Sequence, residues 1–171
     1  PTRNRALGPL LPLNLVHAGK ENPAGTRIRR MSEGDLPEVL LIENGSFPRP
    51  WTLEQFLSEL KNPVSYAYVL ASASGKKEVA AGYILFWAVR DESHILNLAV
   101  RQDFRRRGCA AALLTHALKI MKRNMVLEVF LEVRRSNAAA QRLYEKFGFR
   151  ESYVRKDYYG NEDAVVMART L

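Results

Sequence analysis

The chain has 171 residues, 47% of them apolar, which is enough for one domain with a buried core. No apolar run reaches the roughly 18 residues of a membrane span, and the lone cysteine, Cys109, excludes an internal disulfide and fits a reducing, cytoplasmic setting. The 26 Lys and Arg outnumber the 18 Asp and Glu, and the net charge of +8 points to an anionic partner (nucleic acid, a phosphorylated cofactor or a ribosome-associated substrate) without choosing among them.

Residues 1–25 hold four prolines, three glycines and no sustained period, and lack the h-region and cleavage site of a secretory signal. They read as a flexible extension, with the domain over 26–171 beginning at "TRIRRM". Asp35 is placed to cap a helix through "LPEVLLIENG", with Pro37 in its first turn. Thr52 caps a second helix, "LEQFLSELK", which Asn62 and Pro63 end. "SYAYVLAS" reads as a strand, joined through a Ser74–Gly75 turn to the longer strand "KEVAAGYILFWAVRD", and "SHILNLAV" as a third. A helix over about 109–123 sets Leu113, Leu114, Ala117, Leu118 and Met121 on one face. "VLEVFLEVR" is a strand, and Ser136 or Asn137 caps "AAAQRLYEKF", with Gly148 just past its end. "FRESYVRKDYY" and "DAVVMARTL" close the chain as a pair of strands. The order β, two helices, three strands, helix, strand, helix, two strands is that of a single α+β domain on one mixed sheet.

Three stretches could carry chemistry. In "DFRRRGCAAALL", Arg105, Arg106 and Arg107 precede a helix N-terminus, where the dipole already presents positive charge. Cations there repel the dipole unless an anion lies among them. The unsatisfied N–H groups of the first turn suit a phosphate, and Gly108 and Ala110 let one approach; a solvated basic turn is the plain alternative. In "LEVFLEVR", alternation puts Leu127, Val129, Leu131 and Val133 on one face and Glu128, Phe130, Glu132 and Arg134 on the other. Glu132 is either a general base or a half-exposed carboxylate paired to an arginine such as Arg134. Tyr144 lies at the margin of an apolar helix face formed by Ala140, Leu143 and Phe147, so it is a core tyrosine or a catalytic one.

"LNLAVRQDFRRRGCAAALL", "LEVRRSNAAAQRLYEKFGF" and "RKDYYGNEDAVVMA" together resemble the GNAT superfamily of acyl-CoA N-acyltransferases, and within it the bacterial ribosomal-protein-alanine N-acetyltransferases (the RimI family). The similarity covers residues 27 to 169, and Arg105, Gly108 and Ala110 meet the superfamily's phosphate signature. The resemblance implies a strongly twisted sheet of about six or seven strands with about four helices on both faces. It implies acetyl-CoA as cofactor and no metal. Glu132 is implied as general base and Tyr144 as the acid that reprotonates the leaving thiolate. Leu98, Ala99 and Val100 would pair with the pantetheine arm, the turn Arg105, Arg106, Arg107, Gly108, Cys109, Ala110 and Ala111 would hold the pyrophosphate, and Asn137 would touch the cofactor. Phe47, Trp51, Tyr158 and Tyr159 would wall the acceptor groove, unless they are rim aromatics of ordinary turns.

The activity this implies is direct acetyl transfer to a protein N-terminal α-amine, with the N-terminal alanine of a small-subunit ribosomal protein as acceptor. No acyl-enzyme is needed, and Cys109 has no adjoining histidine to make it a nucleophile. A lysine side chain or a small-molecule amine is an alternative acceptor. A basic ribosome- or nucleic-acid-binding module without catalysis is the alternative from another class, which the presence of both Glu132 and Tyr144 argues against. Neither a membrane nor nucleic acid is required as partner.

Overall fold

The computed structural model describes residues 22–74 and 77–171. Most of the expected N-terminal extension, and the residue after Ser74 in the expected turn, lie outside the described residues. Among the described residues the chain runs β1 (Thr26–Arg30), α1 (Leu36–Asn44), α2 (Leu53–Lys61), β2 (Ser65–Ser74), β3 (Lys77–Val89), β4 (Glu92–Val100), α3 (Cys109–Arg123), β5 (Glu128–Arg134), α4 (Ala138–Lys146), β6 (Arg150–Arg155) and β7 (Ala164–Thr170). The element order is the one read from the sequence. The seven strands form one sheet in the order β1-β2-β3-β4-β5-β7-β6, antiparallel except for the parallel pair β4–β5. No described helix is long and apolar enough to cross a membrane.

The sheet buries both faces, so its central strands are apolar almost throughout. One core joins Ile84 and Phe86 of β3 to Leu113, Leu114, Ala117 and Met121 of α3 and to Tyr144 of α4. The other joins Tyr83 and Leu85 of β3 to Leu36, Val39 and Ile42 of α1 and to Phe56 of α2. Each fully buried leucine of α3 contributes about 1.5–3 kcal/mol. Phe56, the one buried residue of α2, stands edge-on to Tyr83 with ring centroids 5.7 Å apart. On β5, Val129, Leu131 and Val133 are buried as alternation requires, but Leu127 lies just before the strand and is exposed.

The caps explain the boundaries, with one correction. Thr52 and Gln55 form a reciprocal box, and Asn137 Oδ1 accepts from the Ala140 N–H at 3.1 Å. Gly148 ends α4 with φ of +84°, a conformation that favours glycine. Asp35 holds the N-cap position of α1 as expected, but its side chain makes no capping hydrogen bond to the helix. It belongs to a 3₁₀ turn, Glu33–Asp35, and its carboxylate accepts from the N–H and hydroxyl of Ser32 and from Arg29. A nearby arginine and an upstream hydroxyl outbid the helix end for the same oxygens.

The register places the site. β4 pairs with β5 only from Glu92–Ile95 against Glu128–Leu131, although β4 runs on to Val100 and β5 to Arg134. Opposite the break, Leu96 is an extra residue in β4 against β3, between the pairs Leu85–Asn97 and Phe86–Ile95. Such a bulge bends a strand and re-aims its side chains. Beyond Ile95 the two strands part, and the β4 backbone there has no strand partner on the β5 side.

Candidate active site

A cavity of about 290 Å³ opens where β4 and β5 separate. Glu132 lines it from β5, Leu98 from β4, Tyr144 from α4 and Asn137 from the cap of that helix. Phe47 and Trp51, from the α1–α2 loop, and Tyr158 and Tyr159, from the β6–β7 loop, complete its wall. The structure thus brings together the expected catalytic pair and all four expected acceptor-side aromatics. Ala99, Val100 and the turn 105–111 do not line this cavity; they follow β4 toward the start of α3.

Glu132 is neither free nor paired with Arg134. One carboxylate oxygen lies 2.6 Å from Nε2 of His94, and the other accepts from Arg155 at 3.0 Å. Arg134 instead pairs with Glu162 at 3.1 Å and lies over the ring of Tyr159 at 4.0 Å. Both side chains lie on the same face of β5, but the partners of Glu132 come from β4 and β6, whereas Arg134, two residues on, meets Glu162 of the β6–β7 loop. The hydrogen bond from His94 holds the Glu132 carboxyl below its ordinary range; burial opposes this, and Arg155 reinforces it. An ionised carboxylate only accepts, so Nε2 of His94 is the donor. Each Glu132 oxygen keeps a second acceptor direction.

Tyr144 is 7% exposed and packs edge-on against Phe149, with ring centroids 5.7 Å apart. Burial, with a smaller effect of Tyr159, pushes its phenol above the ordinary tyrosine value. No protein group among the described residues hydrogen-bonds its hydroxyl. A core ring therefore carries a protonated hydroxyl at a cavity wall.

The three arginines of the basic turn are not equivalent. Arg105 turns back, donating from Nε to the Val100 carbonyl at 3.0 Å and from Nη2 to Ser46 at 3.2 Å. Arg107 lies over Phe104 at 5.5 Å, and Arg106 holds a left-handed φ of +60°. The first intrahelical bond of α3 is that from the Ala112 N–H to the Gly108 carbonyl, and the N–H groups of Arg106 to Ala111 find no protein acceptor among the described residues. Gly108 has φ of +85°, and a Cβ built on it meets no atom within 4 Å. The glycine serves the backbone turn, and open space surrounds it. Cys109 is buried and its thiol is pushed up by burial, against the pull of Arg107. It is no nucleophile.

Four residues of the site were not read from the sequence. His94 and Arg155 meet Glu132 only through strand register. Gly82 lets β3 pass α3, since a Cβ there would lie 2.8 Å from the Ala99 carbonyl oxygen and 3.3 Å from Leu113. Glu43, on α1, is 1% exposed and lines the cavity. Its signal was present: Leu36, Val39 and Glu43 fall at i, i+3 and i+7 of the buried helix face.

Comparison with known proteins agrees with this geometry. The model of the acetyltransferase (GNAT) family matches residues 36–149. The [ribosomal protein bS18]-alanine N-acetyltransferase of Escherichia coli (strain K12) is 36% identical over 145 residues, 82% of this chain and 95% of that protein. An N-alpha-acetyltransferase of Sulfurisphaera tokodaii is 33% identical over 159 residues, covering 85% and 93% of the two chains. The crystal structure of the ribosomal-protein-S18-alanine N-acetyltransferase from Escherichia coli superposes with a TM-score of 0.75 at 34% identity, covering 85% of this chain and 93% of that one. The family model spans most of the domain that holds the parted strands and the cavity, and the chain belongs to the GNAT family of acetyltransferases.

Proposed function

We propose that this enzyme transfers an acetyl group from acetyl-CoA to the N-terminal α-amine of a protein, with the N-terminal alanine of ribosomal protein bS18 as its acceptor. The observation that carries this reading is a cavity at the strand break that several site residues share. Glu132 and Tyr144 line it together, and Leu98 on its wall belongs to the open β4 edge that runs toward an unpaired helix start. The acceptor identity rests on likeness to relatives that bear that name.

The residues fit the cofactor. The backbone of Leu98, Ala99 and Val100, without a partner on the β5 side, would take the pantetheine amides as a neighbouring strand does. The N–H groups of Arg106 to Ala111, with the charges of Arg106 and Arg107, would hold the pyrophosphate. Arg105 shapes the turn and ties it to the α1–α2 loop through Ser46. Asn137 spends its carbonyl oxygen on the α4 cap and has its amide left for the cavity. Once bound, acetyl-CoA supplies an acyl carbon activated by a thiol leaving group.

Glu132, aimed by His94 and Arg155, accepts the proton of the attacking amine directly or through one water. A carboxylate held below its ordinary pKa is too weak a base to strip a free ammonium. The transfer therefore accompanies attack, when nitrogen gives up its lone pair and its N–H turns acidic. Tyr144 keeps its proton until the sulfur departs, then donates to it. Because burial makes the phenol a weak acid, its main contribution is a hydrogen bond to the charge developing on sulfur. Acetylation of a free N-terminal alanine peptide, followed by mass spectrometry with the site mapped by fragmentation, tests the whole reading.

A further inference from the structure

Glu43 has no role in the chemistry above, yet it is a carboxylate in an expensive place. It sits in the last turn of α1 (Leu36–Asn44), where the helix dipole disfavours an anion, and it is 1% exposed. No lysine, arginine or histidine is paired with it among the described residues. Its contacts are neutral: the Trp51 N–H donates to one oxygen at 2.9 Å, with Asn97 Nδ2 at 3.4 Å, and the Tyr83 hydroxyl donates to the other. Each oxygen has two acceptor directions, so one direction, on the oxygen that Tyr83 holds, is unused.

A buried carboxylate is costly unless paired with a cation. Glu43 lines the same cavity as Glu132, and Glu132 has already spent its charge on Arg155 and His94. The cavity therefore contains one carboxylate with its cation in place and one without. The acceptor proposed above brings a cation with it: an α-amine of pKa about 7.7–8.0 enters at neutral pH mostly as ammonium.

We infer that Glu43 is the docking group for the acceptor's α-ammonium, and that Glu132 acts on the neutral amine only after the docked ammonium has lost its extra proton to solvent water. The inference rests on the acceptor reading above and names the group by which the site selects a charged N-terminus. Burial raises the Glu43 carboxyl above its ordinary value, partly countered by the Trp51, Tyr83 and Asn97 hydrogen bonds, so an arriving cation relieves a charge held at a cost. The Trp51 contact also joins docking to the acceptor wall, because the loop that carries Phe47 and Trp51 is anchored on the same carboxylate.

The test compares two probes in calorimetry at pH 7 with coenzyme A present: a short peptide beginning with alanine, and its N-terminal lactyl isostere, in which a hydroxyl replaces the amine. The unmodified enzyme is expected to bind the amine peptide about tenfold more tightly, the scale of one charge-assisted contact. Glu43→Gln should bind the two equally, with isostere and coenzyme A affinities retained. Glu132→Gln should keep the preference. Equal binding of both probes by the unmodified enzyme overturns the inference while leaving the acceptor reading standing. So does a preference that survives Glu43→Gln, or one abolished by Glu132→Gln, which decides the matter even if the Glu43 variant does not fold. Equal weakening of both probes in Glu43→Gln overturns it too, since that marks a loop brace. Binding of neither probe by the unmodified enzyme removes the acceptor reading and this inference together.

Discussion

Nε2 of His94 lies 2.6 Å from a carboxylate oxygen of Glu132 at the point where the strands that carry them stop pairing. The last two pairs of the parallel ladder are His94–Phe130 and Ile95–Leu131, so the histidine spans the break to reach Glu132 one residue beyond it. Arg155 closes the other side of the carboxylate and lies over Tyr158 at 4.2 Å. The carboxylate proposed as base is thus held on both oxygens by its own chain.

Removing the base should be severe. Glu132→Gln is expected to lower kcat about 10²-fold or more, the range of general-base assistance. His94→Gln should cost less, because Arg155 still orients the carboxylate. The pH dependence separates the groups. Since His94 and Arg155 hold Glu132 below its ordinary range, it stays ionised where the amine titrates. The acid limb of kcat/KM should then follow the peptide amine near its pKa of about 7.7–8.0 and stay there in both variants. A limb that moves with the substitution at His94 would assign it to the protein instead.

Tyr144→Phe keeps the ring that packs on Phe149 and removes only the hydroxyl. Turnover should fall about 10-fold or more while acetyl-CoA affinity holds, because the group acts on charge that appears as the sulfur leaves. Pre-steady-state rates beside calorimetric affinities check this, and unchanged turnover would return Tyr144 to packing alone.

At the turn, Arg106→Ala should weaken acetyl-CoA binding by about 1.5–3 kcal/mol, and the loss should shrink as salt rises. Gly108→Ala should add backbone strain of about 1 kcal/mol from its left-handed φ and crowd the anion as well. Arg105→Ala should act differently, disturbing Ser46 and the acceptor loop as much as cofactor affinity. Titrations of each variant at two salt concentrations distinguish these outcomes.

Stability in acid should depend on Asp35. Its bidentate pair with Arg29, at 2.7 and 2.8 Å, and its bonds from Ser32 bring its pKa to about 2. A depressed carboxylate stabilises the fold above its unfolded value near pH 4 and loses that contribution as pH falls toward 2. Asp35→Asn should therefore cost on the order of 2 kcal/mol at neutral pH and flatten the decline between pH 4 and 2, as urea unfolding across that window would record.

The helices and strands were legible because periodicity and caps are local: Thr52, Asn137 and Gly148 acted as their residue types dictate. Asp35 misled because its oxygens had a longer-range partner in Arg29. Glu132 and Tyr144 were legible through resemblance. Their surroundings were not, since His94, Arg155 and Glu132 lie on three different strands, with Glu132 38 residues from His94 and 23 from Arg155, and only sheet register brings them together. Glu43 could have been found from helix spacing alone, because a carboxylate on a buried stripe demands a reason.

The central claim is that the acceptor is an α-amine. A lysine, of pKa about 10.4, holds a few hundredfold less neutral amine at pH 7 than an N-terminus does. The direct measurement offers the enzyme acetyl-CoA and two peptides of identical sequence, with an N-terminal alanine and one internal lysine, the second blocked at its N-terminus. Acetylation of the first at its α-amine alone, with the blocked peptide inert, is the predicted result. Comparable acetylation of the blocked peptide at lysine would contradict it.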